Sequence, residues 1–158
     1  MEREIFAAIV TVSDSRAAAE DISGDTLSQM IEAAGHRVCE RVIVTDELLE
    51  VRETLFALAG RDDIDVVFTT GGTGFSPRDN TPEATRAVIE REAPGLAEAM
   101  RSATARHTPF AMLSRGVCGI HGKVLIINLP GSPKAVAECF EVIAPVLSHA
   151  VDLIKAPS

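Results

Sequence analysis

Strand-like and helix-like stretches alternate along the whole chain, which predicts an α/β fold with a mainly parallel sheet. Three observations carry this prediction. The runs at residues 5–12, 66–68 and 124–129 are nearly continuous in apolar residues, as expected of strands buried on both faces. Each run empties into polar or glycine-rich punctuation, and the intervening stretches carry apolar residues at helical spacing. With 158 residues, 46% hydrophobic composition and no low-complexity linker or fixed-period repeat, residues 1–158 are expected to form one domain with a sizeable core.

Residues 5–12 read as a central strand, and the polar cluster Thr11, Ser13, Asp14 and Ser15 stands at its C-terminal end, where open α/β sheets place ligands. Ordinary turn chemistry would also account for Ser13 and Asp14. The acidic stretch 17–22 is either a mobile flap or a solvated connection. A helix then begins at Ser23 or Gly24, with Leu27, Met30, Ile31 and Ala34 on one face and Gly35 as its C-terminal stop. The partial alternation of 36–44 predicts a second strand nearer the sheet edge. Thr45-Asp46-Glu47 follows, and a helix runs to Ala59 with Val51, Leu55 and Leu58 inward and Gly60 at its end. Asp46 therefore sits where a strand hands over to a helix, a position that N-capping by Thr45 or Asp46 would explain unaided.

The stretch 66–86, VVFTTGGTGFSPRDNTPEATR, organises the chain. A buried strand runs into Gly71-Gly72-Thr73-Gly74, and Thr81-Pro82-Glu83 has the cap, first-turn proline and acidic residue of a helix start. The glycines allow backbone N–H groups to converge into an anion nest, although a tight turn needing positive φ uses the same residues. The loop matches neither the GxxxxGK[ST] phosphate loop nor GxGxxG. Asp79, held between strand end and helix start, would be unwelcome beside a phosphate unless a cation lay between them, and Mg²⁺ fits that role.

Beyond it, a helix from Pro82 to about Glu92 stops before Pro94-Gly95, and 96–106 forms another amphipathic piece. Residues 107–115, HTPFAMLSR, have no clear assignment. The runs 117–120 and 124–129 around His121-Gly122-Lys123 predict a hairpin with His121 in the turn. The second run ends in Pro130-Gly131-Ser132-Pro133-Lys134, a second potential anion site in which Ser132 can cap and Lys134 is by default a surface residue. Residues 135–154 supply the closing helix or helices, interrupted near Pro145.

The net charge of −8 and pI near 5.0 disfavour nucleic acid or an anionic membrane as a partner. The absence of Trp and Tyr removes the usual base-stacking platform. Cys39, Cys118 and Cys139 are odd in number, far apart and in apolar contexts, so buried free thiols in a reducing cytoplasm are expected. No segment has the pattern of a cleavable leader or a bilayer span.

TVSDS, TTGGTGFSPRDNTPEAT, TPFAMLSR and INLPGS, in this order and spacing, resemble the molybdopterin adenylyltransferase family, which includes MogA, MoaB and the G domain of gephyrin. The resemblance runs from about Ala8 to about Ile154. It implies a three-layer α/β/α sandwich with a mostly parallel central sheet, assembled as a trimer or a dimer of trimers. It also implies a cytoplasmic, Mg²⁺-dependent transfer of AMP from ATP to molybdopterin, with pyrophosphate as the other product. Nucleotidyl transfer of this kind asks for phosphate positioning and charge neutralisation and needs no protein nucleophile. By the same resemblance, Asp46 and Asp79 handle Mg²⁺ and nucleotide phosphates. Gly71, Gly72, Thr73 and Gly74 contact ligand through the backbone, and Pro130, Gly131 and Ser132 form the facing wall. Ser13 and Asp14 line the same pocket, with Ser114 a further candidate.

His121 stands where relatives often carry arginine. Other molybdenum-cofactor enzymes are further candidate partners. A catalytically weak paralogue serving as a molybdopterin-binding or oligomerising module is the rival expectation, and a related nucleotide-processing enzyme of the same fold is a third. Retention of Asp46 favours the enzyme, and a chain ending at Ser158 without a scaffold's linker points the same way.

Overall fold

Six strands form one sheet in the order β2-β1-β3-β6-β5-β4, in a computed structural model that describes residues 2–14 and 20–158. β1 (Phe6–Val12), β2 (Arg37–Val44), β3 (Val66–Thr70) and β6 (Val124–Leu129) are parallel, while β5 (Cys118–His121) and the short β4 (Arg91–Glu92) close one edge in antiparallel fashion. The mostly parallel sheet is as expected, and β2 is the opposite edge strand. Ser15 and residues 17–19, part of the polar cluster and of the acidic stretch read as flap or connection, lie outside the described residues.

The chain steps outward from β1 to β2 and then crosses back over β1 to β3. With right-handed crossovers, that reversal sends the two connecting helices to opposite faces. The packing agrees. Alternate residues of the central strands divide between two cores, as the two-residue period of a strand requires. Ile9, Phe68 and Ile127 face α1 (Ile22–Ala33), α4 (Pro94–Thr104) and α5 (Pro133–Ile154). Val10, Val67 and Ile126 face α2 (Leu48–Ala59) and α3 (Thr81–Val88). Three layers result, and the order reversal between β1 and β3 opens a crevice beyond their C-terminal ends.

Several boundaries differ from the sequence expectation, each for a local reason. α1 starts at Ile22, inside the stretch read as a loop, because the buried Asp21 caps it: its Oδ1 accepts the Gly24 N–H at 2.9 Å and its Oδ2 accepts the Thr11 hydroxyl at 2.8 Å. Leu27 and Ile31 are buried, Met30 is half-buried, and Ala34 is exposed at the C-cap. Glu47, rather than Thr45 or Asp46, is the N-cap residue of α2, and its side chain makes no capping hydrogen bond. Asn80 precedes α3, so Thr81 is the first helical residue; α3 ends at Val88 because the chain turns extended at Ile89 to reach β4.

The 107–115 stretch contains a 3-10 helix, Pro109–Leu113, opened by Thr108, whose hydroxyl oxygen accepts the Phe110 N–H. α5 runs unbroken through Pro145. That proline lies on the solvent side, as does Glu141, so the carbonyl left without its helical donor faces water. His121 ends β5 rather than occupying the turn, with its Nδ1 2.8 Å from the Val88 carbonyl and its ring edge-on to Phe56.

Cys118 and Cys139 are buried free thiols, but Cys39 is exposed, because it sits on the outward register of an edge strand. Among the described residues no helix is long and apolar enough to cross a membrane.

Candidate functional site

Four strand ends, those of β1, β2, β3 and β6, build the site. After β1, the Ser13 N–H donates to the Val44 carbonyl at 2.9 Å and continues the β1–β2 ladder by one residue. This brings Asp14 beside the end of β2, where its Oδ1 accepts the Asp46 N–H at 3.1 Å. The guanidinium of Arg78 reaches across from the 71–80 loop and ion-pairs with both carboxylates, lying 3.1 Å from Asp46 Oδ2. The Asn80 amide donates to the Asp46 carbonyl at 3.1 Å, so a second residue of that loop holds the same acid.

At the end of β3 the backbone demands glycine twice. Gly71 and Gly72 have φ of 91° and 71°, and a Cβ on either would fall 2.6 Å from the Val12 carbonyl oxygen or 2.3 Å from Thr81 Oγ1 respectively. The Gly71 N–H donates to the Leu129 carbonyl, and the Thr81 hydroxyl donates back to the Gly71 carbonyl at 2.9 Å. Among the described residues, no protein acceptor takes the N–H groups of Gly72, Thr73 and Gly74. Two consecutive positive-φ residues followed by free N–H groups have the character of an anion nest.

The loop after β6 comes up against this one. A Cβ on Gly131 would stand 3.4 Å from the Gly71 Cα, so the two backbones pass within about a methyl group's width of each other. Ser132 caps α5, its hydroxyl oxygen accepting the Ala135 N–H at 3.2 Å, and the buried Ser23 hydroxyl donates to the Gly131 carbonyl at 2.5 Å. Between this loop, α4 and the 3-10 helix lies a cavity of about 300 Å³ whose walls include Thr73, Gly74, Ser114, Pro130 and Ser132. Its other walls are mainly apolar, with Met100, Phe110 and Leu113 among them.

The predicted residues thus fall into two adjoining groups. Asp14 and Asp46 meet through Arg78, whereas Thr73, Gly74, Ser114, Pro130 and Ser132 line the cavity; between them Gly71 and Gly131 mark where the loops approach, and Gly72 packs against Thr81 and Val12. Asp79 belongs to neither wall. Its Oδ2 accepts the Ser76 N–H at 2.9 Å, which closes a turn within its own loop beside Gly74. Asp46 thus stands beside Asp14 at the end of β2, and Asp79 is held within its own turn. Among the described residues no group of three or more His, Cys, Asp or Glu side chains is placed to hold a metal ion.

Sequence reasoning missed four residues. Asp21 and Arg78 are already described. Asn128, 3% exposed, accepts the Val117 N–H through Oδ1 and donates from Nδ2 to the hydroxyls of Thr69 and Thr85, at 3.1 and 2.9 Å; it ties β6 to β3, α3 and the residue that leads into β5. It was visible as the lone polar residue in VLIINL. Arg115 was adjacent to a chosen residue, Ser114. Its guanidinium donates to the carbonyls of Gly74 and Asp79, both at 2.8 Å, and to the Glu83 carboxylate. The Glu83 carboxyl is held below the usual glutamate range by that hydrogen bond against the opposing cost of burial, and the Arg115 guanidinium is held correspondingly higher.

Comparison with known proteins gives a consistent result. The chain is 45% identical to the molybdenum cofactor synthesis protein cinnamon of Drosophila melanogaster over 149 residues, covering 92% of this chain but only 25% of that protein. It is 39% identical to a molybdopterin adenylyltransferase of Helicobacter pylori, with 95% of this chain and 88% of that one covered. Among solved structures, the molybdopterin biosynthesis enzyme MoaB of Thermus thermophilus superposes with a TM-score of 0.87 at 42% identity, over 95% of this chain and 96% of that one. Residues 8–149 match the family model described as a probable molybdopterin binding domain, and the chain belongs to that molybdenum cofactor biosynthesis family.

Proposed function

We propose that this protein is a molybdopterin adenylyltransferase, moving AMP from ATP to molybdopterin with release of pyrophosphate. The observation that carries the reading is the close approach of the Gly71 loop and the Gly131 loop, with an apolar-walled cavity on one hand and the Asp14–Asp46 acids on the other. A largely apolar cavity with a few polar groups suits a flat heterocycle, and backbone N–H groups at its rim suit phosphate. The 39% identity to the Helicobacter pylori adenylyltransferase supports the same assignment.

The carboxylates fit magnesium as hard oxygen donors, and the Arg78 guanidinium that neutralises Asp14 and Asp46 here would give way to the ion. Asp46, with the negative charge of Asp14 beside it, and Asp79 from its own turn would hold the ion together with substrate phosphates. When bound, it would neutralise phosphate charge during transfer. The chain's own residues do the positioning. The N–H groups of Gly72 to Gly74 bind and orient phosphate oxygens, Pro130 to Ser132 form the opposing wall, and Ser13 and Ser114 offer hydroxyls at the margins.

The reading extends to assembly as a homotrimer or hexamer. Leu96–Met100 does not contribute an exposed patch, since Ala97 and Met100 are buried, but Phe110, Met112 and Leu113 are exposed. Light scattering at micromolar concentration should show an oligomer, and a monomer would remove that part. For the site, Mg²⁺ with ATP should protect residues 71–74 and 130–132 from hydrogen exchange in one experiment. Protection of only one loop would separate them and refute a shared nucleotide site.

A further inference from the structure

We propose that Arg115 is the positioning residue that aims the amide groups of the glycine loop at phosphate, an inference that rests on the nucleotide reading above. One residue takes three carbonyls of the same loop. Its backbone N–H donates to the Thr73 carbonyl at 2.7 Å, its Nε to the Gly74 carbonyl at 2.8 Å, and its Nη2 to the Asp79 carbonyl at 2.8 Å. Glu83, on the first turn of α3, grips the other edge of the guanidinium with both carboxylate oxygens, at 2.7 and 3.2 Å. The planar fork of arginine is thereby fixed by partners on two sides.

The peptide geometry gives this clasp its consequence. In a trans peptide the carbonyl of one residue and the N–H of the next point in opposite directions, and every peptide described here is trans. Drawing the Thr73 and Gly74 carbonyls toward Arg115 turns the Gly74 and Phe75 N–H groups to the far side, away from the Glu83 carboxylate. Neither N–H donates to a protein acceptor among the described residues. Without the clasp, the glycine-rich segment is free to rotate these peptides, and preorganisation for an anion is lost.

The roles of clasp and charge separate in Arg115→Lys. Lysine keeps the stem and the positive charge but has one nitrogen, which cannot hold the Gly74 and Asp79 carbonyls and the Glu83 carboxylate in one plane. The probe is inorganic pyrophosphate with Mg²⁺, titrated by calorimetry into wild-type protein and the variant, alongside molybdopterin affinity and the KM for ATP. Arg115 is one-third exposed, so the fold is expected to survive. The expected result is pyrophosphate binding weakened roughly tenfold or more and a KM for ATP raised in parallel, with molybdopterin affinity unchanged.

Wild-type-like pyrophosphate binding in Arg115→Lys would overturn the proposal, because charge alone would then suffice. Equal loss of molybdopterin and pyrophosphate affinity would also overturn it, as a general structural role. Failure of wild-type protein to bind pyrophosphate or ATP would overturn both this inference and the nucleotide reading, which distinguishes the two failures. Should Arg115→Lys lose its cooperative thermal transition, Glu83→Gln, which loosens the guanidinium without touching the loop, carries the same test with the same expected direction.

Discussion

Replacing Gly72 by alanine should strain the loop in two separable ways. The φ of 71° places a side chain in the left-handed region, at a cost of about 1–2 kcal/mol. The new methyl would also meet Thr81 Oγ1 at 2.3 Å, and overpacking of this kind costs about 1–3 kcal/mol. Gly72→Ala should therefore destabilise the protein by about 2–5 kcal/mol. Thr81→Ala removes the obstructing oxygen together with its hydrogen bond to the Gly71 carbonyl, and alone should cost about 1–2 kcal/mol. In the double variant the collision is gone while the φ cost stays, so the combined loss should fall short of additivity by about 1–3 kcal/mol. Gly71→Ala supplies the contrast, since its methyl would strike the backbone oxygen of Val12, which Thr81→Ala does not move. Urea unfolding of wild type, the single variants and both double variants measures the two cycles. Additivity of Gly72→Ala and Thr81→Ala within about 0.5 kcal/mol, or an equal rescue of Gly71→Ala, would refute the steric argument.

Three further outcomes follow from buried and charged groups. Asn128→Ala should cost about 2–4 kcal/mol in urea unfolding, because it orphans the Val117 N–H and removes the partner of two buried hydroxyls; a loss under about 1 kcal/mol would mean that water satisfies them. Burial pushes the Cys118 thiol up to about 12 and the Cys139 thiol up to about 11, so iodoacetamide should label Cys39 alone in the native protein and all three after denaturation. The lowered carboxyl of Glu83 stabilises the fold fully above the ordinary glutamate range and loses that contribution as pH falls through its lowered value. The stability gap between wild type and Glu83→Gln, under about 1 kcal/mol for so exposed a pair, should therefore start to close only as pH falls below the ordinary glutamate value of about 4.3, and close further through the lowered value.

The layers of the fold were legible because buried parallel strands leave continuous apolar runs: the runs 66–68 and 124–129 lie in such strands, and the run 5–12 does so from Phe6 onward. The edge position of β2 was legible for the complementary reason, its partial alternation. Helix starts were harder. Thr81 has the chemistry of an N-cap but turns its hydroxyl to Gly71, and Asp21 caps α1 from inside a stretch whose acidity suggested solvent. Pro145 predicted a break that a solvent-facing carbonyl made unnecessary.

At the site, local punctuation pointed to both loops and to the strand-end acids. Their pairing was not legible, because it depends on where Arg78 reaches and on the Ser76 N–H that occupies Asp79. Arg115 was hidden for a related reason: its role lies in carbonyls 36 and 41 residues away.

The central proposal is nucleotidyl transfer dependent on the acids, and a single-turnover reaction with α-phosphate-labelled ATP, Mg²⁺ and molybdopterin tests it most directly. Asp79→Asn retains a side-chain oxygen for the Ser76 N–H, and Asp46→Asn leaves its backbone bonds to Asp14 and Asn80 in place, so both variants should fold and bind molybdopterin. The account predicts labelled AMP on molybdopterin with wild-type protein, and transfer slowed roughly a hundredfold or more in each variant. Wild-type protein that binds molybdopterin without transferring label, or folded variants that transfer it at the wild-type rate, would contradict the account.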